Sequence, residues 1–185
     1  MRKLIFGINL TLDGCCDHTK GNANEDVHQY FTQLTRKVDT LVYGRRTYQL
    51  MVPFWPDVAK NPSATPNSMN EFAAAFNAVD KIVVVSKSLN ETVGKNTEII
   101  RTNLRDEILK LKQREGKDIL TGGVDIPSQL MQLGLIDEYH FVIHPVVAGE
   151  GRRLFDSVNL PEQMKLKLVE SKVFKSGHVV LQYSK

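Results

Sequence analysis

Short apolar runs of period two alternate with longer segments of helical period along this chain as far as Leu133, and beyond Gly134 only the period-two pattern continues. Residues 3–12 set the first run: Leu4, Phe6, Ile8, Leu10 and Leu12 share one side, with Gly7, Asn9 and Thr11 on the other. That alternation predicts a strand. In residues 27–38 the apolar side chains Val27, Tyr30, Phe31, Leu34 and Val38 fall at helical spacing instead, which predicts an amphipathic helix. Strands joined by crossover helices lie parallel, because the helix carries the chain back to the end of the sheet where the previous strand began. The order therefore predicts an α/β fold: a central, mostly parallel sheet covered on both faces, with antiparallel strands added at the C-terminal edge. At 185 residues the chain fits a single domain spanning 1–185.

The remaining boundaries follow from local signals. Asn24 is placed to cap the first helix, with Glu25 and Asp26 at the positive end of its dipole, and Asp39-Thr40 closes it. A buried strand at 41–43 leads through Gly44 into a short helix. Pro53, Pro56, Pro62 and Pro66 predict loop in the next stretch. Helices are predicted over 69–79, 104–114 and 126–133, the last with Pro127 in its first turn and Gly134 at its end. Strands are predicted over 81–85, 97–101, 118–121 and 139–147, and a hairpin over 166–174 and 178–183 around Lys175-Ser176-Gly177.

Composition narrows the classes of function. Hydrophobic residues make up 42% and charged residues 24%, enough for an ordinary core. The net charge of +3 suits an anionic small ligand, and the basic residues are too scattered for nucleic acid. No apolar run approaches the roughly 20 residues that cross a bilayer. Cys15 and Cys16 are adjacent and no third cysteine exists, which points to a reducing cytoplasm. A nucleophilic role for either thiol finds only His18 near it in sequence. Of the five histidines, only His140 and His144 have ligand-like spacing, with no third partner, so no metal is expected.

Three segments share a buried strand, then glycine or small polar residues, then a helix start: Val42-Tyr43-Gly44-Arg45-Arg46-Thr47, Val84-Val85-Ser86-Lys87 and Leu120-Thr121-Gly122-Gly123-Val124. Ligands of open α/β sheets bind beyond such strand ends. Glycine lets backbone N–H groups approach an oxyanion, and a helix N-terminus adds partial positive charge. Arg45 and Arg46 carry forked donors matching phosphate, and Thr47, Ser86 and Lys87 add hydroxyl and ammonium donors. Neither a P-loop nor the Gly-x-Gly-x-x-Gly fingerprint is present.

These segments resemble the dihydrofolate reductase superfamily. Thr11-Leu12-Asp13-Gly14, Gly134-Leu135-Ile136-Asp137-Glu138, His144-Pro145-Val146-Val147, Gly149-Glu150-Gly151 and Leu154-Phe155 are similar to its branch related to the pyrimidine reductase domain of riboflavin biosynthesis. The resemblance implies a dihydrofolate reductase-like fold and an NADPH-dependent reductase that moves a hydride directly to a small heterocyclic metabolite. That metabolite is pyrimidine-, pterin- or flavin-related, as for 5-amino-6-(5-phosphoribosylamino)uracil reductase. Dihydrofolate reductase activity proper and a non-catalytic NADP-binding sensor are the alternatives.

The resemblance also implies roles. Arg45, Ser86 and Lys87 hold the adenosine 2′-phosphate of NADP, Thr47 and the helix start beside it meet the pyrophosphate, and Arg46 is a further cofactor-binding residue. Thr121, Gly122, Gly123 and Val124 form the glycine-pair turn, joined in the family by a cis peptide. Asn9 lies where the first strand meets the nicotinamide, and Asp13-Gly14 opens the loop over it. Dihydrofolate reductases carry one carboxylate at the start of the first helix, and Glu25 and Asp26 lie near that place. The expected proton donors are Glu25, Asp26, or a water held by Thr11 and Asp13. The resemblance further implies a homodimer, paired through the strand of His144 and the C-terminal hairpin.

Overall fold

The computed structural model describes residues 1–94, 96–156, 158–160 and 162–185. Eight strands form one sheet in the order β4-β3-β2-β5-β1-β6-β8-β7. They are β1 (Leu4–Thr11), β2 (Val38–Gly44), β3 (Lys81–Val85), β4 (Thr97–Ile100), β5 (Asp118–Thr121), β6 (Glu138–His144), β7 (Lys167–Val173) and β8 (Val179–Ser184). The pairs from β4 across to β6 are parallel, and β8 and β7 join antiparallel. The helices are α1 (Glu25–Arg36), α2 (Arg45–Lys60), α3 (Asn67–Asn77), α4 (Leu104–Gln113) and α5 (Asp125–Gln132).

Period two in β1 separates two cores. Leu4, Phe6, Ile8 and Leu10 pack with Ile108 and Leu111 of α4 and Ile126 and Leu130 of α5. Ile5 faces the other way, into a cluster with Leu34 of α1, Tyr48 and Val52 of α2, and Phe72 and Phe76 of α3. The sheet is thus sandwiched between α4–α5 and α1–α3, and each fully buried Leu, Ile or Phe contributes about 1.5–3 kcal/mol. Asn24 caps α1 as its sequence position predicts, its Oδ1 accepting from the Val27 N–H at 3.2 Å.

Several boundaries differ from the sequence reading. β1 stops at Thr11, and Leu12 is 64% exposed. The Gly14 N–H donates to the Thr11 carbonyl at 2.9 Å and Gly14 takes φ +78°, so a tight turn lifts Leu12 off the core. β2 begins at Val38 rather than 41, because α1 ends at Arg36 and Val38 already pairs with Asp118. The largest correction is α2, which runs through Pro53 and Pro56 where loop was expected. Proline inside a helix costs about 3 kcal/mol. Here Tyr48, Val52 and Val58 make a buried stripe, and the Trp55 ring lies 4.5 Å from that of Phe72 on α3. This packing offsets the lost backbone bonds.

Register opens the sheet at its carboxyl edge. β1 pairs with β5 only as far as Phe6 opposite Thr121, but with β6 as far as Thr11 opposite His144. Residues 7–11 therefore extend past the end of β5, where the chain turns through Gly122 and Gly123.

Candidate active site

β3, β2 and β5 are neighbours, so the three segments singled out by their glycines and helix starts end side by side. Between them lies a cleft of about 400 Å³ lined by Gly44, Arg45, Arg46, Thr47, Val85, Gly122, Val124, Asp125, Ile126 and Arg152. Two helices start in it. α2 begins after Gly44 and α5 after Val124, and neither has a side-chain hydrogen bond at its cap. Their first-turn N–H groups remain available as donors, and both dipoles present positive ends to the same space. Arg45 and Arg46 are exposed at its wall.

The turn after β5 presses against the start of α2. Gly123 takes φ +84°, and a Cβ there would lie 2.2 Å from Thr47 Oγ1. Only glycine holds this conformation at this separation. The expected cis peptide between Gly122 and Gly123 is a correction, since no cis bond occurs among the described residues. The positive φ of Gly123 makes the sharp turn. Thr121 is fully buried and its hydroxyl donates to the Val42 carbonyl at 2.9 Å, so it straps β5 to β2 and does not face the cleft.

A second cationic patch lies at the end of β3. Ser86 Oγ accepts from the Ser88 and Leu89 N–H groups at 3.2 and 3.0 Å, which shapes the turn and leaves Lys87 exposed. Arg45 donates to Ser88 Oγ at 3.2 Å, and Arg101 donates to the Lys87 carbonyl at 3.4 Å. Sequence reasoning missed Ser88, Arg101 and Arg152. Arg152 reaches the cleft from the loop after β6 and pairs with Asp125 at 2.6 Å, and that bond holds the Asp125 carboxyl below its usual range. Nothing local marks Arg152, because Asp125 lies far from it in sequence and at the start of another helix.

The three carboxylates named as candidate acids engage separate partners. Asp13 accepts from the Thr11 hydroxyl at 2.6 Å and from the Ala148 and Gly149 N–H groups at 2.9 and 3.0 Å. The Thr11 hydroxyl first, then the Ala148 N–H, holds its carboxyl down to about 2, so it stays ionised and ties the loop after β1 to the loop after β6. Asp26 accepts from Ser176 Oγ at 2.6 Å, in the β7–β8 turn. Glu25 is exposed and accepts from Gln29 at 3.0 Å. It borders a second cleft of about 310 Å³ between α1 and α3, shared with His28 and Ser68.

Cys15 is buried, and burial pushes the half-buried Cys16 thiol up, which disfavours the nucleophilic thiolate. His140 and His144 both lie on β6, but His140 Nδ1 meets Tyr30 Oη at 2.5 Å while His144 Nε2 meets Asn9 Oδ1 at 3.1 Å. Among the described residues no group of three or more His, Cys, Asp or Glu could hold a metal ion, and no helix is long and apolar enough to cross a membrane.

A mixed eight-stranded sheet of this order, with helices on both faces and an antiparallel C-terminal hairpin, is a dihydrofolate reductase-like fold. Residues 2–180 match the RibD C-terminal domain family, and the chain belongs to that family. It is 33% identical to YyaP of Bacillus subtilis (strain 168), an uncharacterized protein, over 98% of this chain and 94% of that one. Among solved structures it is similar to a putative riboflavin biosynthesis protein from Shewanella sp. PV-4, with TM-score 0.74, 20% identity, and 100% and 98% of the two chains covered. It is also similar to a diaminohydroxyphosphoribosylaminopyrimidine deaminase/5-amino-6-(5-phosphoribosylamino)uracil reductase from Thermotoga maritima, with TM-score 0.67, 14% identity, and 99% of this chain but 56% of that longer one covered. Dihydrofolate reductase from Enterococcus faecalis, complexed with NADP(H) and RAB-propyl, aligns with TM-score 0.61 and 14% identity over 98% and 95% of the chains.

Proposed function

We propose that this chain is an NADPH-dependent reductase of a small heterocyclic metabolite, with a pyrimidine-type ring of the uracil class as its substrate. One observation carries the reading: two uncapped helix N-termini and three arginines, Arg45, Arg46 and Arg152, converge on one cleft at the ends of β2 and β5. Backbone N–H groups, dipole ends and forked guanidinium donors together make an anion site. The cradle also fits a diphosphate tail, because glycine at 44 and 123 lets the β2 and β5 ends close onto Ile126 and Thr47 of the cleft wall, where a Cβ would lie 3.1 and 2.2 Å away. When bound, NADPH supplies a hydride from its nicotinamide ring.

This chain's residues divide the work. Thr47, Arg46 and the α2 start hold the pyrophosphate. Arg45, Ser86 and Lys87, with Ser88 and Arg101 behind them, hold the adenosine phosphate. Gly122, Gly123 and Val124 support the nicotinamide end, against which the β1 backbone at Asn9 packs. Bringing the coenzyme and substrate rings together in this site would account for much of the acceleration. Glu25, at the mouth of the second cleft, supplies a proton through water. Asp13 keeps the loop in place, and Asp26 anchors the α1 start to the β7–β8 turn. A reading as an NADP-binding sensor is favoured by one fact, that none of the three carboxylates is buried beside the cleft.

Fluorescence titration with NADPH and NADH, followed by NADPH oxidation with aminouracil substrates, tests both readings. We expect NADPH to bind more tightly than NADH, and Arg45→Ala to remove most of that preference. Losing one charged phosphate contact costs about 1.5–3 kcal/mol, or roughly ten- to hundredfold in affinity. Binding without oxidation of NADPH by any pyrimidine, pterin or flavin-type compound favours the sensor. No binding of either coenzyme overturns both.

The protein is further proposed to be a cytoplasmic homodimer. The strand of His144, β6, lies between β1 and β8 and is no edge, so of the expected pairing region only the hairpin is placed to pair. Its β7 is an edge strand exposed along its whole length, with Leu168, Val169 and Val173 each more than half exposed, and such edges pair readily.

A further inference from the structure

β1 lies in the middle of the sheet, yet Asn9 within it is exposed. A side chain on an inner strand reaches solvent only where the layer above it is open. Asn9 is on the same face as Ile5 and Gly7, which α1 covers through Leu34 and Phe31. The opening therefore lies at the carboxyl edge, past the end of β5 and on the α1 side of the sheet.

The exposed amide is not free to turn. Asn9 Oδ1 lies 3.1 Å from His144 Nε2, and the Asn22 backbone N–H donates to His144 Nδ1 at 2.9 Å. A backbone N–H can only donate, so Nδ1 is the acceptor and the ring proton sits on Nε2, donating to Asn9 Oδ1. The Asn9 amide NH2 then faces away from His144, with no hydrogen-bond partner among the described residues.

The ring doing the orienting is itself fixed. His144 and His178 are each 1% exposed and pack edge to face at 4.7 Å. His178 Nε2 donates to the Asn22 carbonyl at 2.9 Å, so the backbone of one residue clamps both histidines. Gly21 lies flat on the His144 ring, where a Cβ would approach to 3.3 Å. Three contacts thus hold the buried His144 ring behind one exposed donor.

We infer that Asn9 donates a hydrogen bond to a ring carbonyl oxygen of the substrate, and that His144 is the positioning residue that aims it. The inference rests on the proposed reduction of a heterocycle and adds its polarity. The site prefers a ring edge with an acceptor oxygen over one with an amino group or hydrogen at that place, and Asn9 enforces the preference.

Side-chain amide NMR tests this directly. The Asn9 NH2 pair is assigned by its loss in Asn9→Asp, an exposed and isosteric change. The NADP⁺-saturated protein and the coenzyme-free protein are each titrated with diaminouracil and with diaminopyrimidine, which lacks the two carbonyl oxygens. A downfield shift of the Asn9 pair with diaminouracil alone supports the inference. A pair unmoved by either ring, or moved equally by both, overturns it. If NADP⁺ fails to bind, the reductase reading falls, and the coenzyme-free titration still decides the role of Asn9.

Asn9→Asp weakens diaminouracil binding about ten- to hundredfold. His144→Ala raises KM for the carbonyl-bearing ring with little change for the ring without it. In an Asn9→Ala background His144→Ala has no further effect on ring affinity. A purely structural histidine moves both ring affinities together in either background, and that result counts against positioning.

Discussion

Gly123 shows how much one residue without a side chain can hold. Its φ of +84° suits glycine, and the space its Cβ would take belongs to the Thr47 hydroxyl 2.2 Å away. Gly123→Ala forces both a strained backbone and a displaced Thr47. We expect it to destabilise the protein by about 1–3 kcal/mol in urea unfolding and to weaken NADPH binding. Thr47→Ala in the same chain relieves the clash but not the backbone, so it recovers stability only in part. The two glycines are adjacent in sequence, as are the two arginines, and each pair was legible there. Arg152 was not, because its role depends on Asp125, which another strand and its loop bring to it.

The loop before α1 depends on elements far from it in sequence. Residues 21 and 22 rest on His144 of β6, and the Asn22 carbonyl accepts a hydrogen bond from His178 Nε2 just before β8. Burial first, then the neighbouring His178, holds the His144 ring down at about 4 against its ordinary value near 6.5. The folded state thus binds a proton less readily than the unfolded chain. Stability from this contact is complete above pH 6.5 and is lost as pH falls through that value toward 4, because in that window the unfolded chain takes up more protons. Protonation also removes the acceptor for the Asn22 N–H. We expect hydrogen exchange at Asn22, corrected for its intrinsic rate, to lose protection below about pH 4 while the β1 and β5 amides keep theirs. Equal loss in all three would show global unfolding instead. α2 carries a related lesson, since its two prolines read locally as loop and its packed stripe of Tyr48, Val52 and Val58 made it helix.

At the scale of the molecule the sheet has two unlike edges. β4 at one end is short, whereas β7 at the other offers a full, exposed and partly apolar strand. Pairing of two β7 edges about a two-fold axis is self-complementary, as a closed dimer requires. Sedimentation at micromolar concentration is expected to show a dimer, and Val169→Lys with Val173→Lys to give a monomer that keeps its coenzyme affinity. A wild-type monomer under those conditions rules this interface out.

Periodicity and punctuation by themselves determined that strands and helices alternate, that antiparallel strands close the C-terminal edge, and that glycines and arginines stand where helices begin. These are properties of a few consecutive residues, set by side-chain spacing and backbone freedom. Only the tertiary structure decided that β3, β2 and β5 end side by side, that Arg152 joins them, and that Asn9 meets a histidine 135 residues away. Strand order and register come from burying two faces of one sheet at once, and no short stretch of sequence carries that condition.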